Sequence, residues 1–342
     1  MMLKLSVLDQ SPVSEGSSAA EALRQTVALA KEVERLGYTR FWVAEHHGAS
    51  GLAGSSPEIL AAHVAAVTSS IRVGAGGVLL PHYSPYKVAE NFRVLEALHP
   101  GRIDLGIGRS AGGGALAVRA LREHRREEPD DFARQLDDLA VYTQGMAPRG
   151  HRFAGLEASP DADSAPQLWL LGASPGSARL AAERGMGLAY ARFIAPHGEA
   201  EAMAEYQARY LPSSAAPRPA VLVALFAVCA ETAEEAERLA LSSDLAAVLL
   251  ARDHASSPTP SPERAASYPY TPFDRQLIRE NREHLLIGSP PEIRERLEAI
   301  GSACSCEEIM IATVTHSFED KLKSYRLIAE ACGLQSRSIP QA

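Results

Sequence analysis

Residues 71–109, IRVGAGGVLLPHYSPYKVAENFRVLEALHPGRIDLGIGR, hold the pattern on which the fold turns. An apolar run, IRVGAGGVLL, passes into SPYKVAENFRVLEALHP with helical spacing, and a second apolar run, GRIDLGIG, follows. Two strands separated by a helix imply parallel pairing, because a parallel crossover needs a connection of that length. Upstream the pattern repeats. LKLSVLD precedes SAAEALRQTVALAKEVERLG, whose Leu23, Val27, Ala30, Val33 and Leu36 share one face of a helix that stops at Gly37. TRFWVAE precedes SSPEILAAHVAAVTSS, with Ser55 or Ser56 as N-cap and Pro57 in the first turn.

Downstream, a helix near DDFARQLDDLAVYTQG and a Gly/Pro-rich excursion from about Met146 to Gln167 lead to LWLLG with SPGSARLAAERG. GLAYARFI with PHGEAEAMAEYQARYL and PAVLVALFAVCA with TAEEAERLALSSDLAAVLLA follow. The stretch RDHASSPTPSPERAASYPYTPFDRQ is too rich in Pro and Ser to be regular throughout. Helices near 274–284 and 290–301 then precede EEIMIATV and the helix SFEDKLKSYRLIAEACG. Eight strand–helix units predict an α/β fold, a (β/α)8 TIM barrel with insertions, rather than an open doubly wound sheet. The expected organisation is one domain over residues 1–334, with an insertion at about 252–285 and a disordered tail at 335–342.

The 342 residues are 46% apolar and 22% charged, enough for a large core, and the net charge of −8 argues against a nucleic-acid surface. In RALREHRRE (119–127) basic residues alternate with Glu, the pattern of a solvated helix face. MMLKLSVLDQ lacks the features of a signal peptide, and no window reaches the apolar length of a membrane span, so a cytoplasmic protein is expected. Cys229, Cys304, Cys306 and Cys332 show no CxxC spacing and read as reduced, structural thiols.

In such a barrel the chemistry sits beyond the C-terminal ends of the strands. Glu45, His46 and His47 end the second strand. Neighbours in extended chain point to opposite sides, and nothing nearby completes a ligand set, so no metal site is expected. One reading makes a histidine a proton-transfer group at the mouth; the other makes Glu45 and a histidine braces for the loop. The glycines of VGAGGVLLP admit either a flat ligand against Gly76 and Gly77 or tight packing. Glycines 106, 108 and 112 of GIGRSAGGG miss the dinucleotide spacing and follow the fourth strand, which excludes the Rossmann reading and leaves Arg109 as a phosphate-suited guanidinium. Ser174 and Ser177 in LLGASPGSA open a helix, suited either to an anion or to ordinary N-capping. His82, Tyr83, Tyr268 and Tyr270 are further candidates for the mouth, whereas Phe41 and Trp42 read as core.

Taken in order, FWVAEHHGASGLAGSSPEILAA, residues 71–109, LWLLGASPGSARLAAERG, IGSPPEIRERL and IMIATVTHSFEDKLKSYRLIAE resemble the bacterial luciferase-like flavin-dependent monooxygenases, over residues 3 to about 333. That resemblance implies a barrel using reduced FMN as co-substrate with O₂, a separate NAD(P)H-dependent flavin reductase, a small-molecule substrate and a homodimer. It makes His46 the catalytic histidine and places the isoalloxazine ring against a non-prolyl cis peptide at Gly76–Gly77 and along Ala191. Arg109 with the turn Ala173, Ser174 and Ser177 would grip the phosphate, and the 252–285 segment would match a mobile lid. Gly108 and Ala173 depart from luciferase, which has a cysteine and an acidic residue there, so light emission is not expected. The chain looks closer to single-subunit-type monooxygenases, some of which tailor natural products. The expected function is a two-component FMN-dependent monooxygenase. An F420-dependent oxidoreductase on the same barrel and a non-catalytic flavin-binding protein are the alternatives.

Overall fold

A computed structural model of the chain describes residues 3–123, 131–212, 216–253 and 257–337. Its strands are β1 (Lys4–Asp9), β2 (Arg40–Val43), β3 (Arg72–Leu79), β4 (Ile103–Gly108), β5 (Gln167–Gly172), β6 (Gly187–Ala191), β7 (Val221–Cys229), β8 (Leu285–Gly288) and β9 (Glu308–Ala312). The first seven and β9 pair in parallel, and β9 pairs both β7 and β1, which closes an eight-stranded barrel. The predicted eight strands are the eight of the ring. The ninth, β8, pairs with β7 at Phe226–Cys229. It escapes a reading of periodicity because LLIG is only four residues between two helices, too short to separate from a helix end.

The helices are α1 (Ala19–Arg35), α2 (Pro57–Ala66), α3 (Pro85–Leu98), α4 (Ala115–Leu121), α5 (Phe132–Gln144), α6 (Pro175–Ala182), α7 (Glu199–Arg209), α8 (Ala233–Asp253), α9 (Pro262–Ser267), α10 (Pro272–Arg282), α11 (Pro290–Ala303) and α12 (Phe318–Ala331). Six of them begin with a Ser-Pro or Thr-Pro step, at Ser56, Ser84, Ser174, Ser261, Thr271 and Ser289. Proline supplies a preset φ at a position whose N–H has no helical partner, so each of these helix starts is fixed locally. The buried face of α1 centres on Ala22, Thr26, Leu29, Ala30 and Val33, slightly rotated from the predicted stripe. The cause is Thr26, whose hydroxyl is buried to reach Asp9 Oδ2 (2.6 Å) and Ser11 Oγ (2.9 Å).

Alternation along the strands divides two cores. Outward residues such as Phe41, Val43, Val73, Leu105 and Ile107 pack under the helices. Inward residues, Leu8, Trp42, Ala44, Trp169, Ala189, Leu222, Ala224, Met310 and Ala312, fill the barrel. The Pro/Ser-rich insertion contains α9 and α10 and docks on the β1–α1 connection. Thr259 N–H donates to Val13 O (2.7 Å), Glu15 N–H donates to Thr259 O (2.9 Å), and Arg264 pairs with Glu15. Residues 254–256 of the insertion, 124–127 of the basic run and 338–342 of the tail lie outside the described residues. No helix among the described residues is long and apolar enough to cross a membrane.

Candidate active site

The residues singled out from the sequence lie at the C-terminal ends of β2, β3, β4, β5 and β6, five consecutive strands of the ring. Several inward positions toward this face are small: Ala44, Gly76, Gly108, Ala191, Ala224 and Ala312, with Phe226 paired to Ala312. One inward step below stand Trp42 and Trp169, packed edge to face with centroids 5.7 Å apart. A barrel interior is ordinarily filled by layers of bulky branched side chains. Here glycine and alanine take several of the inward positions above the two indoles. Phe193 and Phe226, 5.2 Å apart and half-buried, pack against the same inner cluster with Leu171.

The Gly76–Gly77 peptide is cis. A Cβ at Gly76 would lie 2.8 Å from Leu8 Cδ1 and 3.0 Å from Trp42 Cε3, and one at Gly77 would lie 2.6 Å from Gly106 O. Packing against backbone therefore excludes a side chain at Gly77, while one at Gly76 would have to displace the end of the Leu8 side chain and press on Trp42. The β3–β4 register shifts at this point, between Ala75 and Val78.

Glu45, His46 and His47 divide by their bonding. The buried Glu45 carboxylate accepts from His47 Nε2 (2.7 Å), from the Tyr83 hydroxyl (2.7 Å) and from Leu79 N–H (3.0 Å). His47 also donates its backbone N–H to Gly112 O (2.7 Å), which ties β2 to the loop after β4. Desolvation, then the carboxylate, push the Tyr83 phenol well above its ordinary pKa and keep it a donor. His82 is buried; its Nε2 lies 2.9 Å from Ala111 O and so must donate, while its Nδ1 accepts from Arg122 Nε (3.1 Å). That pattern fits a neutral imidazole, and burial lowers its pKa.

His46 differs. Its backbone N–H donates to Gly54 O (2.8 Å), but its Nδ1 is buried with no hydrogen-bond partner. Burial pushes its pKa below the ordinary value, the Glu45 charge opposes that and His47 adds to it. An unpaired neutral ring nitrogen at the rim is able to accept a proton. The bracing role thus falls to Glu45 and His47, and His46 is left with an unused polar atom.

Further round the arc, Arg109 is exposed immediately after β4. The pairing of Ile107 with Leu170 carries Arg109 to the level of Gly172, just before the half-buried Ala173. Ser174 and Ser177 form a reciprocal capping box at the start of α6, with Ser177 N–H on Ser174 Oγ (3.3 Å) and Ser174 N–H on Ser177 Oγ (3.2 Å). A Cβ at Gly172 would collide with Ser177 Oγ, so this glycine lets the first helical turn close onto the strand. Tyr268 and Tyr270 pack on each other, with Arg252 donating to the Tyr268 hydroxyl and Arg275 near the Tyr270 ring. The contacts of these two tyrosines lie within the insertion and α8.

The fold and rim define a closed (β/α)8 barrel with its candidate site at the C-terminal face, the usual location in enzymes of this architecture. The chain belongs to the luciferase-like monooxygenase family, whose sequence profile matches residues 2–304. It is 49% identical over 330 residues to the uncharacterized protein YwcH of Bacillus subtilis (strain 168), covering 96% of this chain and 99% of that one. It is 38% identical over 333 residues to the N-acetyl-S-alkylcysteine monooxygenase of the same organism, covering 96% and 98%. Among solved structures, apo-MsnO8 matches with a TM-score of 0.88 and 40% identity over 98% of this chain and 99% of that chain. More distant barrels share the fold alone. They include the oxygenating constituent of 3,6-diketocamphane monooxygenase from Pseudomonas putida in complex with FMN (TM-score 0.73, 19% identity, 96% and 97% covered) and an F420-dependent secondary alcohol dehydrogenase (TM-score 0.69, 13% identity, 97% and 99% covered).

Proposed function

We propose that this chain is the oxygenase of a two-component FMN-dependent monooxygenase. It would take reduced FMN from a separate NAD(P)H-dependent flavin reductase and use O₂ to oxygenate a small organic molecule. The observation that carries this reading is the unpaired, buried Nδ1 of His46 at the rim, where glycine and alanine at inward positions would form the walls of a recess. Such walls suit a flat ring, and a guanidinium with a helix N-terminus at the far end of the arc suits a phosphate. Reduced FMN supplies the electrons and activates oxygen when bound.

The chain's own contribution is binding, orientation and proton handling. Gly76, Gly77 and Ala191 would line the ring, and Arg109, Ala173, Ser174 and Ser177 would hold the phosphate. His46, neutral near pH 7, would accept a proton from substrate or solvent and return it. Trp42, Trp169, Phe193 and Phe226 keep the recess dry, which strengthens every polar interaction made inside it. The 252–285 segment, anchored at Thr259, is assigned as cover for the mouth of the 1–334 domain. A homodimer completes the proposal, supported by exposed apolar residues on adjacent helices, Ile59 on α2 and Val94 and Leu98 on α3. The relative named for N-acetyl-S-alkylcysteine makes a thioether the first substrate to test.

The test is a titration of flavin-free protein with oxidised FMN, photoreduced FMN and F420, followed by aerobic turnover with an S-alkyl thioether under ¹⁸O₂. Tighter binding of reduced FMN and label in the product are expected. Preference for F420 with no oxygen uptake would convert the reading to deazaflavin hydride transfer. Flavin binding without turnover of any substrate would leave a binding protein.

A further inference from the structure

The Glu45 side chain has no exposed surface. A buried carboxylate is tolerated where its lone pairs are filled by donors. A simple loop brace could fill them with backbone N–H groups, yet only one of the three donors, Leu79 N–H, is of that kind. The other two are an imidazole and a phenol, each fixed by its own surroundings. His47 is tied through its backbone to Gly112, and Tyr83 packs at 6.1 Å against His82, which Ala111 and Arg122 hold from both sides of its ring. The tips of β2, β3 and β4 are thereby joined around the one residue that separates Glu45 from His47. That residue is His46, whose backbone is pinned to Gly54 O and whose ring is not.

We propose that Glu45 is a positioning residue for His46: with His47 and Tyr83 as its donors, it fixes the segment from which the intervening imidazole projects at the rim and sets a negative charge beside it. This rests on the reading of His46 as the proton-transfer group and adds what governs its proton affinity. The ionisable groups around it are Glu45 and His47 on its own segment, Tyr83 and His82 on the β3–α3 connection, and Arg122 after α4; Glu58 on α2 acts on Tyr83. Burial drives His46 toward its neutral form and the Glu45 charge resists. Without that charge the imidazole would be a poorer base at the pH where it must work.

The experiment is ¹⁵N-histidine labelling of the flavin-free protein, with the ring nitrogens of His46 followed against pH and assigned by their loss in His46→Asn. Glu45→Gln is expected to lower the His46 midpoint by about 1 pH unit, the scale of one nearby charge. Glu45→Asp keeps the charge and is expected to hold the midpoint near the wild-type value while disturbing the Leu79 contact. A folded Glu45→Gln protein with an unmoved midpoint overturns the proposal and reduces Glu45 to a brace. If Glu45→Gln does not fold, Tyr83→Phe decides. Losing the phenol removes one donor from the carboxylate, so the midpoint is expected to rise, and a midpoint that stays put overturns the proposal. The reading of the function fails separately. If reduced FMN does not bind the wild-type protein while the midpoint still follows the Glu45 charge, the positioning role stands without it.

Discussion

The two ends of the barrel use polar groups in opposite ways. At the N-terminal end the buried Arg40 guanidinium meets Asp104 (2.8 Å) and Glu308 (2.6 Å) and lies 4.7 Å from the centre of the Trp169 ring. Trp42 Nε1 and Arg72 Nε also donate to Asp104, each at 2.9 Å, and Ser6 Oγ donates to Glu308 at 2.5 Å. These bonds are made among residues that the fold itself supplies. At the C-terminal end small residues take several inward positions, and His46 Nδ1 has no partner. Polar atoms with completed bonds are committed to architecture, and removing one of them strands the others. His46 Nδ1 shares its lack of a partner with buried atoms such as Trp169 Nε1 and Tyr270 Oη, and what sets it apart is its place at the rim, where its loss breaks no bond.

The sharpest way to break that contrast is His46→Ala. Turnover is expected to fall roughly 10²- to 10⁴-fold, as for loss of a general acid–base group, with flavin affinity and urea stability unchanged. Equal losses of turnover and stability would show that the rim is as structural as the base. Arg40→Met should do the reverse. Removing one partner of a buried ion pair costs about 3–5 kcal/mol, because Asp104 and Glu308 are left without their buried counter-ion, and urea denaturation would read it. Protein that still folds should keep its midpoint for His46 titration.

The smallest expected effect concerns pH. Burial lowers the pKa of both His46 and His82, so each is held neutral in the folded chain. A group with a depressed folded pKa contributes stability that is complete above its unfolded value, about 6.5, and is lost as pH falls below it. Thermal melts should therefore show a decline below about pH 6.5 that is shallower in His46→Ala. A decline of the same depth in that variant would place the acid sensitivity elsewhere.

The barrel was legible because parallel strands buried on both faces read as apolar runs between helices, and eight such runs stand out. The braces were half legible. Adjacent residues at a strand end had to point apart, but only the fold shows that Tyr83 and Leu79 complete Glu45. Ser174 was open to two uses, of which the N-cap is seen in its bonds to Ser177 and the grip on an anion remains the proposal made above. The polar floor was invisible, since Arg40, Asp104 and Glu308 lie far apart in the chain with no spacing to join them. The small inner wall was hidden by composition: in a chain full of alanine, Ala191 and Ala224 attract no notice until strand pairing sets them side by side.

The chain contains two tryptophans, and both lie together inside the barrel beneath the candidate site. Its tryptophan emission, excited selectively over that of the ten tyrosines, therefore arises from one place, directly below the candidate site. Any aromatic molecule that settles there changes the polarity and the energy-transfer partners of both rings at once. The protein thus comes with an optical gauge of occupancy that needs no label, and each variant discussed above can be titrated by watching it.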